Sequence, residues 1–179
     1  MIRPFLFTAF LFFLTFSSYA QQKHNPAVKE FGGIYDIPEA DKRPDPQLEY
    51  KLVIDLTEGA ETSEEVNRAL NNIARTLNLH VQGGVPIENM KVAAVVHSAA
   101  TPLVLSNNAY RKEFGVDNPN DQLIQALTDA GVELYVCGQS LIGRGYAQEP
   151  LHPDIKVSFS AMTLLTEYQL KGYALLKFY

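Results

Sequence analysis

The chain holds one cysteine, four histidines and an arginine set between glycines, and these are the residues whose types and placement allow chemistry. Cys137 closes the run Val132, Glu133, Leu134, Tyr135, Val136, and Gly138 follows it. A thiolate is a nucleophile and a sulfur carrier, and its reactivity depends on a polar, cationic or helix-start environment. Gln139 and Ser140 open a helical turn directly after the cysteine, which places the thiol at a strand's carboxyl end beside that turn. Free cysteines are also used as small buried hydrophobes, and the local residues leave both readings open. His97 ends another apolar run, Lys91 to Val96. An imidazole there can take a thiol proton or, once protonated, stabilise a thiolate; it can equally be satisfied by a backbone carbonyl. Thr101 sits in a loop of small and hydroxyl side chains that can shape a pocket. Arg144, between Gly143 and Gly145, can bind an anionic group such as a carboxylate or sulfo-group, or can simply be solvated.

Several functions are excluded or unsupported. His24, His80, His97 and His152 show no metal-ligand spacing,. Neither a G-x-x-x-x-G-K-[ST] nor a G-x-G-x-x-G motif follows a strand, so no cofactor is expected. Fifteen Lys and Arg against 20 Asp and Glu leave a formal charge of −5, the wrong sign for a nucleic-acid partner,. A cysteine hydrolase built on Cys137 and His97 lacks a recognisable oxyanion motif.

The elements that must position these residues alternate in type. Tyr50 to Leu56 reads as a first strand, and Thr62 or Ser63 followed by Glu64 and Glu65 reads as a capped helix start. Val66, Leu70, Ile73 and Leu77 then recur at helical spacing. Lys91 to Val96 is the second strand. Short helices are expected at Asn107 to Phe114 and Asn120 to Ala130, and the third strand carries Cys137. A fourth strand, Lys156 to Phe159, a helix, Met162 to Leu170, and a fifth strand, Tyr173 to Phe178, complete the chain. Alternation of this kind specifies an α/β class with a parallel sheet and helices on both faces. A flavodoxin-like order, 2-1-3-4-5, would put Cys137 at the switch point beside the first strand.

At the amino end Arg3 precedes an apolar run from Pro4 to Phe16, with Ser18, Tyr19 and Ala20 at the positions a signal peptidase reads. Residues 1–20 are expected to be a signal peptide, 21–49 an extended arm and 50–179 one domain. The apolar run is short for a membrane span. Export to the periplasm or beyond follows, with no membrane attachment after cleavage. Removal of Arg3 leaves 14 cations, 20 acids and a charge of −6. A lone cysteine in an oxidising compartment is reactive, bridged to another molecule or hidden. The arm carries Pro26, Pro38, Pro44 and Pro46 and reads as a tether, although Phe31, Ile34, Tyr35 and Ile37 can lie in a groove.

The segments KVAAVVHS, SNNAYRKEFG, GVELYVCGQSL and LLTEYQLKGYALLKF together resemble the DsrE/DsrF-like sulfur-relay family in its signal-peptide-bearing branch. The resemblance spans Tyr50 to Tyr179. It implies a three-layer α/β/α sandwich with a five-stranded, mainly parallel sheet, assembly into trimers or hexamers, and a persulfide-carrying cysteine whose match is Cys137. Ser98 stands where the resemblance leads one to expect a glycine after the histidine. The function expected is an exported, sulfurtransferase-like carrier holding sulfur on Cys137 as a persulfide or mixed disulfide, with a small sulfur-containing or anionic ligand. The alternative is a non-catalytic small-molecule-binding or interaction module in which Cys137 is structural.

Overall fold

The computed structural model describes residues 22–178. The expected signal peptide, residues 1–20, lies outside them, as does Tyr179. Strands β1 (Tyr50–Leu56), β2 (Met90–Val96), β3 (Glu133–Cys137), β4 (Lys156–Ser158) and β5 (Ala174–Phe178) form one sheet. Helices α1 (Arg68–Gln82), α2 (Asn107–Phe114), α3 (Asp121–Asp129), α4 (Gly138–Gly143) and α5 (Ala161–Leu170) connect them. All strand pairs are parallel. Among the described residues no helix is long and apolar enough to cross a membrane.

Strand alternation divides the core in two. Leu52, Ile54 and Leu56 of β1, with Val92, Ala94 and Val96 of β2, face Leu70, Ile73 and Leu77 of α1 and Leu123, Ile124 and Leu127 of α3. Val53, Ala93, Val95 and Cys137 face Ala161 and Leu164 of α5 on the other side. Three layers result, as expected. Each fully buried Leu or Ile contributes about 1.5–3 kcal/mol of transfer free energy, so the α1/α3 side carries most of the stabilisation. The α5 side is a thinner cover.

The strand order is β4-β3-β2-β1-β5, which corrects the flavodoxin-like expectation. Each strand from β1 to β4 adds beside its predecessor, the commonest outcome for consecutive elements. Only β5 is added at the other edge, pairing parallel with β1 after α5 has crossed the opposite face. The consequence for the site is direct, since β2 and β3 are now neighbours.

Helix α1 also begins later than its sequence suggests. Its cap is Asn67, whose side chain accepts from the Leu70 N–H, and neither Thr62 nor Ser63 serves. The Asn67 amide donates to the carbonyls of Glu58 and Gly59, and its own backbone N–H is held by the Asn120 side chain at 2.8 Å. This buried amide network fixes the helix start, so Glu64, Glu65 and the partly exposed Val66 remain in the preceding loop. Residues 98–104, expected as a plain loop, wind into a 3-10 turn.

The arm is irregular yet docked on its own domain. Asn78, fully buried on α1, accepts from the Ala27 and Val28 N–H groups and donates to the Phe31 and Gly32 carbonyls. Asn71, two turns earlier, accepts from the Gly32 N–H. Gly32 has φ +64°, and a Cβ there would lie 2.2 Å from the Arg75 nitrogen, so only glycine fits this approach. Val28 and Ile34 of the arm are themselves buried.

Candidate functional site

Cys137 is the last residue of β3, and α4 starts at the next residue. Its thiol packs with Val53, Val95 and Leu164 and is 5 % exposed. Gly138 allows the neighbouring chain to close over this turn, because a Cβ there would meet the Ser158 carbonyl oxygen at 3.0 Å. Cys137 is paired with Ser158 across β3 and β4. The thiol makes no capping hydrogen bond to α4.

His97 lies one step beyond the Val96–Val136 pair, so it occupies the register position beside Cys137 on the adjacent strand and the same face,. Its backbone N–H donates to the Leu56 carbonyl at 2.9 Å. Its Nε2 sits 2.6 Å from Asp55 Oδ1, and Lys177 Nζ is 3.8 Å from the other oxygen of that carboxylate. Four side chains, at the ends of β3, β1 and β5 and directly after β2, thus line the carboxyl edge of the sheet in the order Cys137, His97, Asp55, Lys177. Parallel α/β sheets bind ligands at this edge. His97 bonds to Asp55 and has no hydrogen bond to the thiol.

The remaining sequence candidates divide between two places. Thr101 is fully buried and donates to the Ser98 carbonyl at 2.8 Å. Ser140 accepts from the Ser98 N–H at 2.9 Å, joining the turn after His97 to the turn after Cys137. Ser98 holds φ +55°, a conformation glycine would adopt without cost. Gln139 is exposed on the first turn of α4. Arg144, at the end of α4, is exposed; its backbone N–H donates to the Ser140 carbonyl at 3.0 Å, and its side chain makes no ion pair or hydrogen bond among the described residues. It lines a cavity of about 510 Å³ with Gly59, Ala99, Tyr110, Phe114 and Tyr146. Leu103, another wall of that cavity, belongs to the α1/α3 core, so this cavity opens on the side of the sheet away from Cys137.

Asp55 is the site residue that sequence reasoning missed. The signal was present: YKLVIDL is apolar at Leu52, Val53, Ile54 and Leu56, and an acid one residue from the carboxyl end of such a strand has to find a partner,.

The sequence profile of the DsrE/DsrF-like family matches residues 51–178. Two solved structures share the fold. A protein of unknown function from Methanobacterium thermoautotrophicum, MTH1491, aligns with TM-score 0.54 and 20 % identity over 72 % of this chain and 98 % of its own. The ychN protein from E. coli aligns with TM-score 0.54 and 21 % identity over 72 % of this chain and 99 % of its own. No curated protein matches the chain.

Proposed function

This chain belongs to the DsrE/DsrF-like family, which is linked to sulfur relay, and on that premise we propose that it handles sulfur on Cys137 as an exported carrier. The observation that carries the reading is the position of the chain's only thiol, at the carboxyl edge of the sheet and beside His97 in register. The Cys137 thiolate attacks a sulfane sulfur of a polysulfide-class donor. A bond forms between Sγ and that sulfur while the donor's S–S bond breaks, and the departing sulfur anion keeps the electron pair. Attack of an acceptor thiolate on the outer sulfur then returns the Cys137 thiolate. Ser140 and Thr101 hold the turn that follows His97, and Gln139 borders the thiol at the start of α4; Arg144, on the cavity away from Cys137, offers a cation to an anionic ligand bound there rather than at the thiol.

Incubation of the folded protein with polysulfide is expected to add the mass of one sulfur atom, mapped to Cys137 and absent from Cys137→Ser. A wild-type protein that gains no sulfur removes the proposal.

The carrier is also proposed to work as a homo-oligomer, a trimer or hexamer. Phe159, Met162 and Leu170 are 80 %, 79 % and 84 % exposed, and all three lie on or next to α5, the thinner cover of the sheet. Exposed apolar residues concentrated in this way mark protein–protein surfaces.

The burial of Cys137 favours a second reading, a small-molecule-binding module in which the thiol only packs the α5 core. That reading requires the native thiol to resist thiol reagents until the protein unfolds.

A further inference from the structure

We infer that Asp55 is a positioning residue for the thiol, acting through His97; the inference rests on the Cys137 chemistry proposed above. Three observations combine. Asp55 Oδ1 is 2.6 Å from His97 Nε2, a short hydrogen bond between a ring nitrogen and a carboxylate,. The carboxylate side chain is 13 % exposed and that of His97 is 23 %, so water competes only weakly for the bond. And His97 directly follows β2, between Asp55 on β1 and Cys137 on β3, with all three on one face of the sheet,.

The tautomer follows from the acceptor. An ionised carboxylate only accepts, so Nε2 carries the proton and donates it to Asp55. The other ring nitrogen, Nδ1, is then the basic one, and it makes no hydrogen bond among the described residues. Nε2 is engaged by Asp55 on β1, which leaves Nδ1 as the one ring nitrogen available to take a proton from the thiol. When the thiol ionises, the S–H bond breaks, a bond from hydrogen to Nδ1 forms, and the electron pair stays on sulfur. The imidazolium so created donates from Nε2 to Asp55, whose charge opposes it. Lys177, 3.8 Å from Asp55 Oδ2, leaves Oδ1 to the histidine. Without Asp55 the imidazole is free to hold its proton on Nδ1, where it cannot accept one from the thiol.

The role is distinct from that of a structural clamp, because it is expressed only through His97. The test measures the rate of Cys137 alkylation by iodoacetamide at pH 7 in the folded protein, together with the nitrogen NMR signature of His97. In wild type the proton is expected on Nε2, with Nδ1 unprotonated in the neutral ring. Asp55→Asn is expected to mix the two tautomers and slow alkylation by about tenfold or more. In a His97→Asn background the same substitution is expected to change the rate less than about twofold, as coupled residues behave. A wild-type Nδ1–H signature overturns the inference without any variant. So does an Asp55→Asn protein that alkylates at the wild-type rate, or one that slows equally in the His97→Asn background. Failure of the sulfur reading looks different: polysulfide adds no mass to wild type, while Asp55→Asn still slows alkylation. Sulfur uptake at the wild-type rate in Asp55→Asn removes the positioning role alone.

Discussion

Replacing Asn78 by alanine tests whether the arm is part of the folded unit. The side chain is fully buried and makes four hydrogen bonds to the arm, from the Ala27 and Val28 N–H groups at 2.8 Å each and to the Phe31 and Gly32 carbonyls at 2.9 and 3.1 Å. A typical bond contributes about 0.5–1.5 kcal/mol net, and a buried group left without a partner costs about 1–3 kcal/mol. The Val28 and Gly32 bonds are fully buried and the other two are partly so. Two stranded buried groups and two weaker losses give about 3–9 kcal/mol against the docked arm. What opposes release is the burial of Val28 and Ile34, about 1.5–3 kcal/mol each,, less the ordering entropy of the segment. These terms are comparable, so Asn78→Ala is expected to undock the arm while the sheet stays folded. Native-state hydrogen exchange reads this directly. The Ile34 amide, which donates to the His24 carbonyl at 3.1 Å, is expected to lose protection by about 100-fold, since about 1.4 kcal/mol corresponds to a factor of ten. Amides of β1 and β2 are expected to change far less. Gly32→Ala should give the same pattern by steric exclusion. Unchanged protection at Val28 and Ile34 in Asn78→Ala would refute the reasoning, because the arm would then be held by something other than this amide.

Two further outcomes follow from the α5 side. Hydrogen bonding from Tyr168, opposed by partial burial and helped by Lys156, holds the Glu133 carboxyl below its ordinary value of 4.5. A carboxyl depressed in the folded state contributes stability above its unfolded value and loses it as the pH falls through the folded one. Burial, with hydrogen bonds to Tyr135 and Glu133, raises the Tyr168 phenol above 10.0, so its contribution is present below pH 10.0 and declines above it. Melting temperatures of Tyr168→Phe against pH are therefore expected to show a shallower acid limb below 4.5 and a shallower alkaline limb above 10.0. The acid effect is small because the Glu133 side chain is 46 % exposed,. Limbs parallel to wild type would deny the coupling. For assembly, Phe159→Asp combined with Met162→Asp is expected to shift the particle to monomer in sedimentation or light scattering without lowering the melting temperature of the monomer; an unchanged mass would clear this surface of an interface role.

The local code of the chain is strong where hydrophobic period decides and weak where pairing is remote. Leu70, Ile73 and Leu77 sit on one face of α1 because 3.6 residues make a turn, and that is visible in any window of the sequence,. The start of the same helix is not, because Asn67 is chosen over Ser63 by contacts to Glu58, Gly59 and the distant Asn120, 53 positions away. The sheet shows the same division. Each strand is legible in its own short run of apolar residues, while the neighbour of each strand depends on which crossover face the connecting helices occupy,. That distinction reaches the chemistry. Under the 2-1-3-4-5 order Cys137 and His97 would be separated by β1, and a proton could pass between them only across another strand's side chains. With β2 beside β3 the thiol and the imidazole become register neighbours, and Asp55, on the strand at the far side of the histidine, becomes the residue that orients it. A carboxylate next to the end of an apolar strand is therefore worth pursuing in a sequence even before the strand order is known: burial on that face obliges it to hold a partner, and at a ligand-binding edge that partner is a residue that can take part in the reaction.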